Sequence, residues 1–298
     1  MGESLKKETG TERLALGTVQ FGMNYGVANK TGQVTETEVG QILDAARISG
    51  INTLDTAIAY GQSESVLGKF NLEPFRIISK LPGMHYDKSK VKGLVINNVL
   101  DSLQRLNIST LDALLLHRPS DLLTFGDEIL EAVDELRKDN KIRKFGISIY
   151  DPAELEFHLG KYQIEIVQSP LSIFDRRILG SKWLETLRKE NIELHARSIF
   201  LQGLLLMPED QIPAKFNRWQ KQFESWYNWL RKSGLNALQA CLQFAQKIPE
   251  VNRVVIGVDS CSQLREILAA WNTEAITVPD TLKIDDKELI NPALWNSL

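Results

Sequence analysis

Residues 52–61 read NTLDTAIAYG, a short apolar run that ends at a glycine. This pattern predicts a β-strand that passes into a loop. In parallel α/β folds, the carboxyl ends of the strands and the loops that follow them form the face that is open to ligands. Asp55 and Tyr60 flank the predicted strand end, so we treat them as candidates for paired chemistry.

The sequence on both sides of this segment alternates between short apolar runs and longer stretches of helical period. The predicted strands cover residues 14–19, 53–55, 75–80, 113–117, 144–149, 164–168, 193–198 and 253–257. The predicted helices cover residues 35–49, 63–70, 88–106, 125–140, 152–160, 181–190, 235–247 and 262–271. Eight strand-helix units in a chain of 298 residues predict a closed (β/α)8 TIM barrel, an α/β fold.

The barrel is predicted to form a single domain over residues 13–298, after a flexible N-terminal segment at residues 1–12. A long connection at residues 206–234 follows the seventh strand and carries Trp219, Phe223, Trp226 and Leu230 at helical spacing. This spacing fits an amphipathic helix that packs on the barrel, and a lid over the substrate pocket is the alternative. The tail at residues 273–298 is expected to fold back as a helix or a cover.

The charge of the chain is nearly balanced, with 35 basic and 38 acidic residues. Nucleic-acid binding and attachment to a membrane surface need clustered Lys and Arg, which the sequence lacks. The N-terminal residues do not resemble a signal peptide, and no run approaches the roughly 18 apolar residues of a membrane span. We therefore expect a cytoplasmic protein whose partner is a small molecule, with an oligomeric state that the sequence does not define.

The cysteines of the chain, Cys241 and Cys261, are too few for a disulfide framework and lack the spacing of metal ligands. We therefore expect no metal site.

Two further reactive side chains end the next predicted strands, Lys80 the third and His117 the fourth. A Lys in an apolar setting needs a counter-charge, which Asp55 on the neighbouring strand can supply. The ammonium group is expected to lower the pKa of Tyr60, because it favours the phenolate. His117 can then donate a hydrogen bond to the same substrate oxygen. Taken singly, such a Lys is more often solvated and such a His more often a core residue.

Five motifs occur in an order and with spacings that resemble the aldo-keto reductase family: LGTVQFG at 16–22, LDTAIAYG at 54–61, SK at 79–80, LDALLLH at 111–117 and GIS at 146–148. The resemblance implies a catalytic tetrad of Asp55, Tyr60, Lys80 and His117. It also implies an NAD(P)(H)-dependent oxidoreductase that interconverts a carbonyl (aldehyde, ketone or sugar-like substrate) and an alcohol, with Tyr60 as general acid/base. The alternative is a reductase-like nucleotide-binding regulatory subunit with little or no turnover.

The same resemblance implies a set of cofactor contacts. Ser148 and Gln168 are expected at the nicotinamide carboxamide. The remaining candidates are Gly17 and Thr18 after the first strand, Arg197, Ser198, Phe200 and Gly203 after the seventh, and Gly257, Val258, Asp259 and Gln263 after the eighth.

Two of these positions depart from the family pattern. Arg197 replaces a Tyr that stacks on the nicotinamide, and it either stacks in its place or forms an ion pair with a nearby acid. Asp259 stands where many members carry a basic residue, and an acid there would repel the 2′-phosphate of NADP. We place NADP(H), the family default, slightly ahead of NAD(H).

Overall fold

The computed structural model describes residues 10–85, 87–271 and 277–297. Eight parallel strands form a closed barrel in which each strand pairs with its neighbours in sequence and β1 pairs with β8. The strands are β1 Leu14–Gly17, β2 Thr53–Asp55, β3 Arg76–Leu81, β4 Leu111–Leu116, β5 Ile142–Ser148, β6 Ile166–Pro170, β7 Glu193–Arg197 and β8 Val251–Gly257. The predicted (β/α)8 barrel is confirmed, with strand ends that differ from the predicted ends by a few residues.

Helices connect the strands and cover the outside of the barrel. In the part of the chain that is described, the α-helices are α1 Val19–Gly22, α2 Glu36–Ile48, α3 Ser63–Leu67, α4 Lys88–Leu106, α5 Asp121–Lys138, α6 Trp183–Lys189, α7 Gln220–Ser233, α8 Ala237–Gln246, α9 Cys261–Trp271 and α10 Lys287–Ile290. Short 3-10 helices lie at Thr11–Arg13, Pro152–Phe157, Leu204–Leu206, Glu209–Gln211, Ala214–Trp219, Asp280–Leu282 and Pro292–Ser297. The predicted helix at residues 152–160 is therefore a 3-10 helix of six residues.

The inside of the barrel contains a small apolar layer made of Ile78, Ala113, Leu115 and Ile166, each at most 3% exposed. Side chains along a strand alternate between its two faces, so every second residue points into the barrel. The residues two positions after Ile78, Leu115 and Ile166 are therefore expected to point inward as well, closer to the carboxyl ends of the strands. This arrangement positions the site described below.

The long connection at residues 206–234 contains α7, whose residues Phe223, Trp226 and Leu230 are buried. The Trp226 indole stacks on Trp229 and donates a hydrogen bond to the carbonyl of Leu205 at 3.3 Å. The amphipathic-helix interpretation therefore describes α7. The first residues of the connection, from Leu206 to Gln211, reach the rim of the cavity described below.

Residues 277–297 fold back against this connection. Trp219 donates from Nε1 to Oδ2 of Asp286 at 2.8 Å, and the Trp295 ring meets Phe216 edge-on at 4.9 Å. Residues 273–276 and 298 of the predicted tail lie outside the described residues, as do residues 1–9 of the predicted N-terminal segment. No helix in the described ranges is both long enough and apolar enough to cross a membrane.

Candidate active site

Lys80, His117 and Gln168 each lie two residues after a member of the inner apolar layer, Lys80 on β3, Gln168 on β6 and His117 directly after β4. Asp55 ends β2 and is in register with Ile78 of β3. Because all strands run parallel, these polar side chains gather at one end of the barrel, above the apolar layer. Tyr60 follows β2 in the loop at the same end.

Lys80 and Asp55 form a buried ion pair, with Nζ 2.5 Å from Oδ1 and both side chains almost fully excluded from solvent. The ammonium group also donates to the carbonyl of Thr56 at 2.8 Å. The second oxygen of the Asp55 carboxylate accepts from Nε2 of Gln168 at 2.7 Å, and Oε1 of Gln168 accepts from Ser148 at 3.2 Å. Asp55 therefore holds Lys80 and orients Gln168, and both of its oxygens are occupied.

Tyr60 lies beside both Lys80 and His117. Nζ of Lys80 is 5.1 Å from the centroid of the Tyr60 ring, and the His117 ring meets it edge-on at 5.6 Å. A close backbone approach fixes the loop, since a Cβ atom added to Gly22 would lie 1.8 Å from the Tyr60 carbonyl oxygen and 2.3 Å from the Ser63 nitrogen. Only a glycine at position 22 permits this contact.

The electrostatics of the site favour neutral forms of Tyr60 and His117. Burial raises the pKa of Tyr60, the Asp55 carboxylate raises it further, and Arg197 opposes the rise. Burial likewise lowers the pKa of His117 to about 3, with Lys80 acting in the same direction. The phenol and the imidazole therefore stay uncharged at neutral pH.

This direction for Tyr60 differs from the lowered pKa expected from its Lys neighbour. Burial lowers the pKa of Lys80, and the Asp55 carboxylate works against that decrease. Because the ammonium group is paired with a carboxylate in direct contact, much of its positive potential at the phenol is cancelled. The desolvation of Tyr60 is then the larger influence.

Arg197 ends β7 and enters the same space. Its Nη2 donates to the carbonyl of Ile149 at 2.9 Å, its Nη1 donates to Oγ of Ser198 at 3.3 Å, and its guanidinium carbon lies 4.6 Å from the centroid of the Tyr150 ring. None of the ion pairs found among residues 10–85, 87–271 and 277–297 includes Arg197. Of the two interpretations left open, the ion pair with an acid is therefore not what the structure shows.

A cavity of about 930 Å³ opens above the tetrad and extends from Tyr60 to the N-terminal end of α9. Most of the predicted site residues line it, namely Gly17, Thr18, Asp55, Tyr60, His117, Ser148, Gln168, Arg197, Ser198, Phe200, Gly203, Gly257, Asp259 and Gln263. Two predicted residues are not part of this lining. Lys80 is 0% exposed and lies beneath it, and the side chain of Val258 is buried at 1% exposed.

The loop at residues 23–33, which we call the β1 loop, connects the loops that follow β7 and β8. Nδ2 of Asn29 donates to Oδ1 of Asp259 at 3.1 Å, and Nε2 of Gln202 donates to the hydroxyl of Tyr25 at 3.0 Å. Oδ1 of Asn29 also accepts from the backbone of the β1 loop itself, at 2.8 Å from the Gly32 nitrogen. The β1 loop therefore lies along the cavity and is fastened at both sides.

The segment after β7 has an unusual backbone. Ser198, Leu201, Gln202 and Gly203 have φ angles of 62°, 49°, 53° and 88°, in the left-handed region. Non-glycine residues adopt this region at a cost of roughly 1 kcal/mol or more each, so such residues often mark functional segments. A Cβ atom on Gly203 would lie 2.6 Å from that of Ala28, which shows how closely the β1 loop approaches.

Several cavity residues were not identified from the sequence. Gln20, Asn29, Tyr150 and Gln202 all line the cavity, and each lies just after a strand or in the loop that follows one. A search of every strand-loop junction for polar and aromatic residues would have found Tyr150, which is two positions after the end of β5. The contacts of Asn29 depend on how the loops meet in space.

The sequence was compared with known proteins. The model of the Aldo/keto reductase family matches residues 13–288. An uncharacterized oxidoreductase, YqkF of Bacillus subtilis, is 29% identical over 91% of this chain and 92% of its own length. The NADH-specific methylglyoxal reductase of Escherichia coli is 26% identical over 82% of this chain and 85% of its own length.

Among solved structures, the holo form of the aldo-keto reductase AKR11C1 from Bacillus halodurans superimposes with a TM-score of 0.71 at 24% identity. The match covers 89% of this chain and 88% of that one. At 24% identity the superposition supports the fold alone, and the match to the family model supports membership of that family.

Proposed function

The chain belongs to the aldo/keto reductase family of oxidoreductases, and we propose that it is an NAD(P)(H)-dependent enzyme that interconverts a small carbonyl compound and its alcohol. The observation that carries this proposal is the placement of a phenol and an imidazole side by side in the lining of a large cavity. Tyr60 and His117 form that pair, above the buried Lys80–Asp55 ion pair.

Four features of the cavity fit a dinucleotide. Gly17 and Gly257 are in register on β1 and β8, and the Gln20 side chain packs against Gly257, where a Cβ atom would lie 2.5 Å from Nε2 of Gln20. Oε1 of Gln20 is buried and accepts no hydrogen bond from any residue that the structure describes. The N-terminal end of α9 follows Gly257 and borders the cavity, and helix N-termini favour phosphates, although the N–H groups of Cys261 and Gln263 already donate to Glu38 at 2.6 Å and to Ser260 at 3.2 Å. The remaining feature is the Ser148–Gln168 pair near Tyr60, whose polar groups suit an amide.

A bound nicotinamide supplies or accepts the hydride, and the chain supplies the proton and the orientation. In the direction of reduction, the Tyr60 phenol gives its proton to the carbonyl oxygen as that oxygen gains negative charge. Because the pKa of Tyr60 is raised, the phenol stays protonated until negative charge develops on the carbonyl oxygen. His117, which stays neutral, can donate a hydrogen bond that holds the oxygen near the phenol.

Lys80 and Asp55 act behind this pair. When Tyr60 loses its proton, the ammonium group of Lys80, 5.1 Å from the ring, stabilises the phenolate that results. Asp55 keeps the ammonium charged in a site where burial works against the charge. Asp55 is thus a positioning residue, because its two oxygens bind Lys80 and Gln168.

The choice of nucleotide depends on the charges at the end of the cavity near α9. The acidic residues that line this end are Asp259 and Glu266, and Asp259 already accepts a hydrogen bond from Asn29, whose neighbour Lys30 also lines the cavity. Burial raises the pKa of Asp259, which shows that the carboxylate is partly desolvated. Acids in this position repel a 2′-phosphate and accept hydrogen bonds from ribose hydroxyls, so they support NAD(H) over the NADP(H) that the resemblance favours.

The test is turnover of a panel of aldehydes, ketones and sugars with NADH and with NADPH, followed by nucleotide absorbance. Isothermal titration of both nucleotides gives their dissociation constants independently of turnover. The proposal predicts turnover with at least one class of carbonyl and tighter binding of NADH. Tight nucleotide binding without turnover of any carbonyl would instead support a nucleotide-binding regulatory subunit.

A further inference from the structure

We propose that Arg197 binds a carboxylate on the substrate, so that the enzyme prefers carbonyl compounds that carry a carboxylate close to the reacting carbonyl. This inference rests on the proposed function, and it names the substrate class of the same cavity.

The guanidinium of Arg197 is a cation without a counter-ion in the described part of the chain. Its hydrogen bonds go to neutral acceptors, the Ile149 carbonyl at 2.9 Å and the Ser198 hydroxyl at 3.3 Å. A partly buried cation that is not paired is costly, and cavities that contain one are suited to anions. An Arg has more N–H donors than these two bonds use, so donors remain for a ligand.

The carboxylates that line the cavity are committed to other partners. Asp55 binds Lys80 at 2.5 Å and Gln168 at 2.7 Å, and Asp259 binds Asn29 at 3.1 Å. Glu266 lies on α9 and accepts from Ser262 at 3.5 Å. The negative charge that would neutralise Arg197 is therefore expected to come from a ligand.

The position of Arg197 indicates that the carboxylate of the substrate lies near the reacting carbonyl. Arg197, Tyr60 and His117 line the same cavity. The guanidinium is close enough to oppose the rise in the pKa of Tyr60 and to contribute to the decrease in the pKa of His117. A ligand whose carbonyl oxygen meets these two side chains would bring a nearby carboxylate toward Arg197.

The guanidinium is also held in a fixed orientation. Tyr150 covers one of its faces at 4.6 Å, and the Tyr150 carbonyl accepts from Nη2 of Arg177 at 3.0 Å. Arg177 is itself held by Asp175 at 2.7 Å and by Asp151 at 3.1 Å. A guanidinium in one orientation presents its N–H edge to a planar carboxylate with little loss of entropy on binding.

In the reaction of such a substrate the carboxylate is unchanged. The carbonyl carbon accepts the hydride that the reduced nicotinamide loses, and the carbonyl oxygen accepts the proton that Tyr60 loses. The product is the corresponding hydroxy acid, with the nicotinamide oxidised. Arg197 binds the carboxylate before, during and after this step.

The experiment compares substrates that differ in charge and in little else. Glyoxylate and succinate semialdehyde are each assayed against their methyl esters with the wild-type enzyme, Arg197→Gln and Arg197→Lys. The wild type should prefer each acid. Arg197→Gln should lower kcat/KM for the preferred acid about 10- to 100-fold, the range for loss of a charge-assisted hydrogen bond, and leave the ester within about 3-fold. Arg197→Lys should retain part of the preference, because it keeps the charge without the planar fork.

A binding measurement separates this role from contact with the nucleotide. Oxamate, a carboxylate that is not reduced, is titrated into each enzyme with nucleotide bound. Its affinity should fall in Arg197→Gln, while the dissociation constant of the nucleotide alone stays the same. A weaker nucleotide in Arg197→Gln with an unchanged ratio of acid to ester would overturn the inference and assign Arg197 to the cofactor.

Other outcomes are also decisive. Equal kcat/KM for acid and ester in the wild type would overturn the inference and leave the proposed function intact. Failure of the wild type to reduce any carbonyl in the wider panel would overturn the proposed function, and this inference with it. Circular dichroism verifies that each variant is folded, and Arg197→Lys still tests the inference if Arg197→Gln does not fold.

Discussion

Gln168 donates a hydrogen bond from Nε2 to Oδ2 of Asp55 at 2.7 Å, across the interior of the barrel from β6 to β2. The carboxylate that pairs with Lys80 therefore also orients a residue that the family resemblance assigns to the cofactor. This contact joins the side of the site that is proposed to transfer the proton to the side that is proposed to bind the nucleotide. It predicts that a change at Gln168 affects both.

Gln168→Leu should therefore reduce kcat as well as nucleotide affinity. The substitution leaves one oxygen of a buried carboxylate without its partner, a loss worth roughly 1–3 kcal/mol, and it removes the amide itself. Steady-state kinetics and nucleotide titration measure the two effects. Ser148→Ala is the matched control, since Ser148 contacts Gln168 but not Asp55, and it should weaken nucleotide binding with a smaller effect on kcat. An unchanged kcat in Gln168→Leu would show that the contact with Asp55 has no catalytic consequence.

Among substitutions at this end of the barrel, those that break the Lys80–Asp55 ion pair should have the largest effect on the free energy of unfolding. Lys80→Met leaves a buried carboxylate without its cation and should lower the free energy of unfolding by about 3–5 kcal/mol. Asp55→Asn combined with Lys80→Met removes both charges, so the double variant should be more stable than Lys80→Met alone. Urea denaturation measures the wild type and both variants. A double variant less stable than Lys80→Met would contradict the assignment of the cost to an unpaired charge.

His117 should make the stability of the protein depend on pH in the acid range. Its pKa is lowered from 6.5 to about 3 in the folded state, so between these values the unfolded chain binds the extra proton. Stability therefore decreases as pH falls through this window, by up to about 1.4 kcal/mol per pH unit from this one group. His117→Gln has no such proton, and its stability relative to the wild type should improve between pH 6 and pH 4. Parallel stability curves for the two proteins would contradict a neutral, buried His117.

The hydrogen bond between Asn29 and Asp259 should retain the nucleotide. Asn29→Asp keeps the side-chain oxygen that caps the β1 loop and replaces the donor to Asp259 with a like charge. Nucleotide release, followed by stopped-flow fluorescence, should be several-fold faster in this variant. Adding Asp259→Asn restores a donor-acceptor pair and should slow release again. If the double variant releases nucleotide as fast as Asn29→Asp, the bridge between the loops is not what retains it.

The sequence was sufficient to predict the barrel and to predict that Asp55, Tyr60, Lys80 and His117 lie together. The barrel follows from the regular alternation of strand and helix patterns along the sequence. Lys80 and His117 were found because they end successive predicted strands. Asp55 and Lys80 were paired correctly because neighbouring parallel strands bring their carboxyl ends together.

The remaining features depend on contacts between distant segments. Asn29 and Asp259 are separated by 230 positions and meet only because the β1 loop lies along the cavity. The direction of the Tyr60 pKa depends on the balance between burial and the net charge of the Lys80–Asp55 pair, which requires the distances. The sequence left two interpretations of Arg197 open and did not identify its contact with Tyr150, because that contact depends on how the loops after β5 and β7 meet.

The most direct test of the proposed mechanism is the rate of carbonyl reduction by Tyr60→Phe, measured together with its dissociation constant for the nucleotide. The variant keeps the ring that packs beside His117 and loses only the hydroxyl that carries the proton. The mechanism predicts a decrease in kcat of about 10²- to 10⁴-fold, the range for loss of a general acid, with nucleotide affinity unchanged. A variant that reduces the same carbonyl at a rate close to the wild type would show that Tyr60 is not the proton donor.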